Sequence, residues 1–313
     1  LHNRFYVQTQ ASPENPSDSR PDGNWAEGVY ADGIDGLPIP WEIDETGLGL
    51  WTLYRHAHFL KGKEKKTYIR EVYPSIMRAA DFLASCKDPD NGLQCKAHED
   101  DNFNQTQTIH GAQTTVLALR SAIAAAKLAG DASARVDGWR SRLAELRAAI
   151  ERELFDPETL SYRQQAGSTS TASFKEKGWL LWPTQIRPRT DPAMEAMARQ
   201  VNQGVGSALA GAKGSYETKG VLGLSYQWSN PTARQERAMK RHVAYMADEQ
   251  TTPTGHFGEA WQRFEDGFAA PVQDMPHVWV GILFYMSAYR VYGHEPYRFQ
   301  GKGLYRQKFA GRH

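Results

Sequence analysis

The sequence has few cysteines, almost no charge imbalance and no long apolar run, and these absences exclude several classes of protein. Lysine and arginine together number 37 against 36 aspartate and glutamate residues, whereas proteins that bind nucleic acid usually concentrate positive charge. No segment approaches the roughly 18 consecutive apolar residues that a membrane-spanning helix needs. We therefore expect a neutral or weakly charged ligand, with neither nucleic acid nor a membrane as partner.

Only two cysteines occur, Cys86 and Cys95, and they bracket a short loop. Free thiols are the default expectation for so few cysteines, and a disulfide is the alternative. The first residues show no basic flank followed by an apolar stretch, as an export signal would have. The sequence leaves three locations open for the protein: secreted, periplasmic and cytoplasmic.

Patterns typical of metal sites are also missing. There is no HExxH motif and no pair of Cys-x-x-Cys motifs, and the run from His98 to Asp101 is contiguous rather than spaced along a helix face. The run faintly resembles the acidic clusters that hold magnesium and diphosphate, but the second acidic motif of such enzymes is absent. We expect no metal and no other cofactor.

Helical periodicity dominates from Asp44 onward, and alternation typical of strands is scarce. Residues 1–40, rich in Pro, Gly, Asp, Asn and Ser, predict an extended N-terminal segment joined to a helical domain at 41–313. Helices are predicted near residues 50–60, 69–83, 109–129, 136–154, 173–182, 192–206, 219–229, 233–248 and 274–292. Buried helices alternate with half-exposed ones, as two concentric helical rings require. The predicted fold is all-α, an (α/α)6 toroid of helical hairpins.

Two loops of this toroid carry carboxylates ahead of apolar helices. Gly255–Trp261 holds Glu259 among glycine and aromatic residues, and Lys96–Phe103 holds Glu99 next to two aspartates. In a toroid the loops before the inner helices gather at one end. Paired carboxylates on a helical scaffold indicate glycoside hydrolysis.

Four segments make the chain resemble the six-hairpin glycosidases, and most closely glycoside hydrolase family 15, the glucoamylase and glucodextranase group. Pro40–Leu48 is similar to the Asp-Glu start of the family's third helix, and Glu99-Asp100 to the acidic pair before its fifth. Gly178–Pro183 resembles a Trp-Pro corner, and Gly258–Trp261 resembles the loop with the catalytic base. The resemblance spans about residues 25 to 295.

The chain departs from the family by lacking the first helical hairpin, whose Trp and Arg-Asp pair grip the terminal sugar. An upstream segment or a second chain is therefore expected to complete the toroid. The resemblance implies an inverting, exo-acting hydrolase of α-glucosidic oligo- or polysaccharides. It assigns Glu99 as general acid and Glu259 as general base.

Like-charge repulsion from Asp100 and Asp101 should raise the pKa of Glu99. A shift of one residue would instead make Asp100 the acid, and Asp101 also stays open. Without the resemblance, the acidic run is a solvated loop and Glu259 is a surface carboxylate in a turn. The candidate substrate-binding residues are Trp41, Asp44, Glu45, Asp100, Trp179, Trp182, Tyr216, Glu217 and Trp261.

Several of these residues have structural alternatives. Asp44 and Glu45 also suit the first turn of a helix, which favours acidic side chains. The tryptophans could be ordinary core residues instead of stacking on sugar rings. Two rival functions remain: a polysaccharide lyase that recruits His110, Tyr162 or His256, and a non-catalytic carbohydrate-binding toroid.

Overall fold

The computed structural model describes residues 2–30, 32–36, 38–210, 232–249, 251–252, 254–263, 269–272 and 278–292. The described chain is mostly helical and forms two compact units. The first unit comprises the described residues of 1–155 and 163–170, and the second those of 156–162 and 171–301. No helix within these ranges is long and apolar enough to cross a membrane.

The first unit is organised around its most apolar helix, α4. Its helices are α1 (His2–Thr9), α2 (Ile43–His56), α3 (Gly62–Ser85), α4 (Ile109–Ala129) and α5 (Ala134–Glu153). Helices α2, α3 and α5 all contact α4, which is why α4 is buried along most of its length. Thr108 caps its start by accepting hydrogen bonds from the backbone of His110 and Gly111, and left-handed Gly130 ends it.

Glycine allows α2 and α4 to approach closely. A Cβ at Gly47 would lie 2.9 Å from the backbone oxygen of Thr114, closer than non-bonded atoms tolerate. The first turn of α2 therefore lies directly against the first turns of α4. This contact matters because both turns carry charged side chains.

The prediction of an extended N-terminal segment is wrong for residues 2–9, which form α1. Tertiary contacts hold this short helix: Asn3 donates to the hydroxyl of Tyr68, and Arg4 pairs with Glu71, both on α3. Tyr6 packs against Trp25 with ring centroids 6.0 Å apart. Such long-range contacts override the weak local helix signal.

Cys86 and Cys95 form a disulfide with Cα atoms 4.9 Å apart, so the default expectation of free thiols was wrong. The bond joins the C-terminal end of α3 to the residues that precede strand β1 (Ala97–Glu99). Strand β1 pairs antiparallel with β2 (Asn102–Thr106). This hairpin was not predicted, because three to five residues are too few for a clear alternation.

The second unit contains further helices and one clear hairpin. Its helices are α6 (Phe174–Leu181), α7 (Pro192–Ala210), α8 (Ala233–Glu249) and α9 (Val278–Val291). Strands β5 (Ala260–Arg263) and β6 (Ala269–Val272) pair antiparallel, and two short strands, β3 (Phe155–Asp156) and β4 (Ser161–Tyr162), precede α6. The helices predicted near 109–129, 173–182, 192–206 and 233–248 are confirmed, and the one predicted at 219–229 lies outside the described residues.

Candidate active site

The acidic start of α2 is the first component of the site. Glu42 precedes the helix in an extended conformation, and its side chain makes no capping hydrogen bond. Asp44 and Glu45 lie in the first turn, where the helix dipole favours negative charge. Glu42 and Asp44 are both buried, so these carboxyls are held inside the unit rather than solvated on its surface.

The second component is the turn that joins β1 to β2. Asp100 and Asp101 occupy it with φ angles of 55° and 58°, and a two-residue hairpin with both central residues at positive φ is the favoured type I′ form. The backbone N–H of Asp100 donates to Asp44 Oδ1 at 3.3 Å, and that of Asp101 donates to Glu42 Oε1 at 2.8 Å. The acidic loop therefore docks on α2 through its amides, and the charge of Asp101 acts on Glu42.

Glu99, the predicted general acid, is fully buried directly before this turn. Its Oε1 accepts a hydrogen bond from Gln94 Nε2 at 2.9 Å, and its Oε2 accepts one from the backbone N–H of Thr108 at 2.7 Å. Gly111 provides the space, because a Cβ there would overlap the carboxyl of Glu99. The side chain thus anchors the hairpin to the beginning of α4.

Burial raises the pKa of Glu99 to about 8, and the nearby charge of Asp44 adds to the rise. The two hydrogen bonds oppose it, because they stabilise the ionised form. The direction agrees with the sequence prediction, but the cause does not. Desolvation is the main cause of the raised pKa, and the charge of Asp44 adds to it. The sequence prediction had attributed the rise to repulsion from Asp100 and Asp101.

A histidine links the two helices at the site. His110 Nε2 lies 3.2 Å from Asp44 Oδ2, and both side chains are almost fully buried. Sequence reasoning considered His110 only for a lyase. The signal that could have identified it is its place two residues after the cap of α4, the most apolar helix of the first unit, where a buried polar side chain requires a partner.

Five carboxyls share this region, and we refer to them as the carboxyl cluster: Glu27, Glu42, Asp44, Glu45 and Asp101. Burial, followed by the charges of Asp44 and Asp101, raises the pKa of Glu42 to about 8. Burial, followed by Asp44 and Glu42, raises the pKa of Glu45 to about 10. These raised pKa values keep Glu42 and Glu45 protonated at neutral pH. A general acid must be in this protonated state before it can donate its proton.

Glu27 joins the cluster from a loop that sequence reasoning left unassigned. It accepts a hydrogen bond from the backbone of Ile39, and its pKa is raised by burial and by neighbouring carboxylates that include Asp101. Within the described residues, no three His, Cys, Asp or Glu side chains converge as metal ligands would.

A cavity of about 360 Å³ opens beside the cluster. Glu45 and Glu27 line it together with residues of α1 and α2 and an indole ring. Its principal lining residues are Tyr6, Thr9, Trp25, Glu27, Glu45 and Thr52. Of the predicted substrate-binding residues of the first unit, Glu45 is the one that lines this cavity.

The remaining predicted residues of the first unit are placed differently. Trp41 is half-buried and packs edge-on against Phe82, with centroids 5.3 Å apart, at the border of the hydrophobic core. Asp100 is half-buried in the turn. The carboxyl group of Asp44 already contacts His110 and accepts a hydrogen bond from the backbone amide of Asp100. Trp41 thus has a packing contact in the core, and its role in substrate binding stays a prediction.

The predicted residues of the second unit lie on separate elements. Trp179 belongs to α6 and Trp182 follows its end; both are half-buried. Glu259 is half-buried and directly precedes β5, which contains Trp261. The loop with Glu259 is fixed by Phe257, whose ring lies 4.8 Å from that of Phe284 on α9. Tyr216 and Glu217 lie outside the described residues.

Solved structures of glycosidases share this fold. A rhamnosidase from Klebsiella oxytoca with rhamnose bound aligns with a TM-score of 0.57 at 16% identity, over 87% of this chain and 51% of its own. A glycosidase variant in complex with glucose aligns with a TM-score of 0.58 at 16% identity, over 84% and 71%. A family 78 rhamnosidase from Bacillus sp. GL1 aligns with a TM-score of 0.57 at 16% identity, over 82% and 27%.

These identities establish similarity of fold alone. The chain spans about half the length of the Klebsiella rhamnosidase. No protein-family model matches the sequence, and no curated protein matches it. The chain is thus similar to glycosidases in its mostly helical fold, and its activity has to be argued from its own residues.

Proposed function

We propose that the protein is a glycoside hydrolase with an (α/α)6 toroid of the family 15 type, acting by inversion on the non-reducing end of α-glucosidic oligo- or polysaccharides. The observation that carries the proposal is the carboxyl cluster together with buried Glu99, where burial raises the pKa values of Glu42 and Glu99 to about 8. The glycosidase-like fold supports it.

Inversion needs a protonated acid beside the leaving oxygen and an ionised base that activates water on the opposite face of the sugar. We propose Glu99 as the acid, because its raised pKa keeps the proton at neutral pH. We propose Glu259 as the base, and the half-buried setting of its side chain suits a group that must bind one water. The scheme requires no metal.

The burial of Glu99 makes its assignment the first to be tested. Asp100, one residue later, is half-buried in the turn and is the alternative acid. Glu99→Gln and Asp100→Asn should be assayed on maltose and on 4-nitrophenyl α-glucoside. The variant that removes the acid loses activity on maltose but keeps most of it on the aryl glucoside, because nitrophenolate leaves without a proton.

Replacement of Glu259, the proposed base, must lower turnover on both substrates. Glu259→Gln is expected to lower turnover at least about a hundredfold on maltose and on the aryl glucoside. Exposed Glu158→Gln, in the same unit, is the control and should leave turnover unchanged. Near-normal turnover by the Glu259 variant on every glycoside would refute the assignment.

Two further measurements address the reaction class. Early NMR spectra of the products should show β-glucose released from an α-glucoside, which establishes inversion. The substrate series should include α-rhamnosides, because two proteins of similar fold are rhamnosidases. A product that absorbs ultraviolet light would indicate the lyase instead, and a ligand recovered unchanged would indicate a binding protein.

A further inference from the structure

The cavity next to the carboxyl cluster has the composition of a site for a small polar ligand. Its volume of about 360 Å³ lies within the range of small-molecule sites, about 300–1,000 Å³. Two carboxyls, Glu45 and Glu27, line it along with two threonines and three aromatic rings. Such a lining combines hydrogen-bonding groups with apolar surface, as recognition of a sugar ring requires.

Glu45 is the side chain that points to a ligand. It is half-buried at the cavity wall, and it makes no hydrogen bond to another residue in the described part of the chain. A carboxyl that lines a cavity without a protein partner is available to hydrogen-bond a molecule inside that cavity. Burial and the surrounding carboxylates raise its pKa to about 10, so that it can both donate and accept a hydrogen bond at neutral pH.

The other lining groups limit what the ligand can be. The indole N–H of Trp25 is already donated to the backbone oxygen of Tyr6 at 2.7 Å, so Trp25 presents apolar surface to the cavity. The hydroxyl of Thr9 is likewise donated to the backbone of its own helix. The polar side chains that remain are Glu45, Glu27 and Thr52, and the aromatic wall suits the apolar face of a pyranose ring.

We propose that this cavity binds one neutral hexopyranose ring, with the carboxyl of Glu45 hydrogen-bonded to its hydroxyls and with Trp25 and Tyr6 as the apolar wall. The sugar class rests on the proposed function, whereas the site itself rests on the cavity. Glu27 also lines the cavity and offers a second carboxyl to the same ring. The role of Glu45 is binding, and it is separate from the proton transfer proposed for Glu99.

Substitutions at Glu45 distinguish a neutral hydrogen-bonding role from a charged one. Glutamine keeps a donor and an acceptor without charge, and leucine keeps the size but neither polar group. Titration of glucose, followed by calorimetry and by tryptophan fluorescence, should give an affinity in Glu45→Gln within about threefold of wild type. Glu45→Leu should bind at least about tenfold more weakly, because two neutral hydrogen bonds are lost.

Two controls connect the signal to this cavity. Trp25→Phe should remove most of the fluorescence change while calorimetry still detects binding, because its ring lines the cavity. Exposed Glu64→Gln, further along the same unit, should leave both signals unchanged. Circular dichroism confirms that each variant is folded.

The outcomes separate this inference from the proposed function. The inference is overturned if glucose does not bind, if Glu45→Leu binds as wild type does, or if Glu45→Gln loses as much affinity as Glu45→Leu. Tighter binding of glucosamine than of glucose would also overturn it, since a charged site prefers the amine. If Glu259→Gln keeps its turnover while Glu45→Leu loses glucose, only the proposed mechanism fails.

Discussion

His110 Nε2 lies 3.2 Å from Asp44 Oδ2, with the two side chains only 5% and 6% exposed. The pair joins the first turn of α2 to the first turn of α4, and Asp44 also accepts the amide of Asp100. One aspartate thus connects both helices and the acidic turn. The geometry of the carboxyl cluster depends on this contact.

We predict that His110→Leu destabilises the first unit by about 3–5 kcal/mol, because the carboxylate of Asp44 would remain buried among other carboxyls without its histidine. Urea unfolding followed by circular dichroism measures the loss. The control is Arg140→Ala, which removes the exposed pair with Asp137 and should cost no more than about 0.5 kcal/mol. Equal losses in the two variants would contradict a structural role for the buried pair.

A second prediction concerns the space that Gly111 leaves for Glu99. Gly111→Ala places a methyl group on the carboxyl of Glu99, and overpacking of this kind costs about 1–3 kcal/mol. Under the proposed function, turnover should fall as well, because the hairpin that carries Glu99 must shift. Both effects are read from unfolding curves and from turnover on maltose.

The matched control is Gly138→Ala on α5, where a Cβ meets no atom within 4 Å. Alanine is a better helix former than glycine, so this variant should be stabilised by up to about 1 kcal/mol. The interpretation fails if the two alanine variants have the same stability.

Helices with continuous periodicity were predictable from the sequence. The bounds of α4 (Ile109–Ala129) match the apolar segment predicted at 109–129, because a helix buried on nearly all sides is apolar over its whole length. Helix α1 was missed because its stability comes from contacts with α3 and Trp25, which a local pattern does not contain.

The site was predictable only in its contiguous parts. Glu42, Asp44 and Glu45 lie within one segment that the sequence singled out, and Glu99 to Asp101 lie within another. Glu27 reaches the cluster from a distant loop, and no spacing rule relates it to Asp101. The burial of Glu99 was equally unpredictable from the sequence, because it depends on Gly111 and Gln94, which are its neighbours in space.

The raised carboxyl pKa values predict how stability changes with pH. Glu42 and Glu99 have folded pKa values of about 8, above the 4.5 expected of an unfolded glutamate. Between these values the folded state binds more protons than the unfolded state, so stability falls as pH rises. The urea midpoint should therefore be higher at pH 5.5 than at pH 8.

Glu42→Gln tests this linkage directly, because glutamine resembles the protonated acid and can still accept the amide of Asp101. The variant should be more stable than wild type at pH 8 and about equal to it at pH 5. Exposed Glu64→Gln serves as control and should leave the pH dependence unaltered. A wild-type midpoint that rises from pH 5.5 to pH 8 would refute the argument.

The disulfide between Cys86 and Cys95 stabilises a loop that contacts Glu99. It closes the loop that carries Gln94, whose amide donates to both Glu99 and the backbone oxygen of Thr108. With a separation of nine residues, loop closure predicts a stabilisation of about 2–3 kcal/mol. Dithiothreitol should lower the free energy of unfolding, extrapolated from urea curves, by this amount. The double variant Cys86→Ala/Cys95→Ala should be destabilised by the same amount and should not respond to the reductant. A wild-type urea midpoint that reduction leaves unchanged would show that the loop is held by its hydrogen bonds alone.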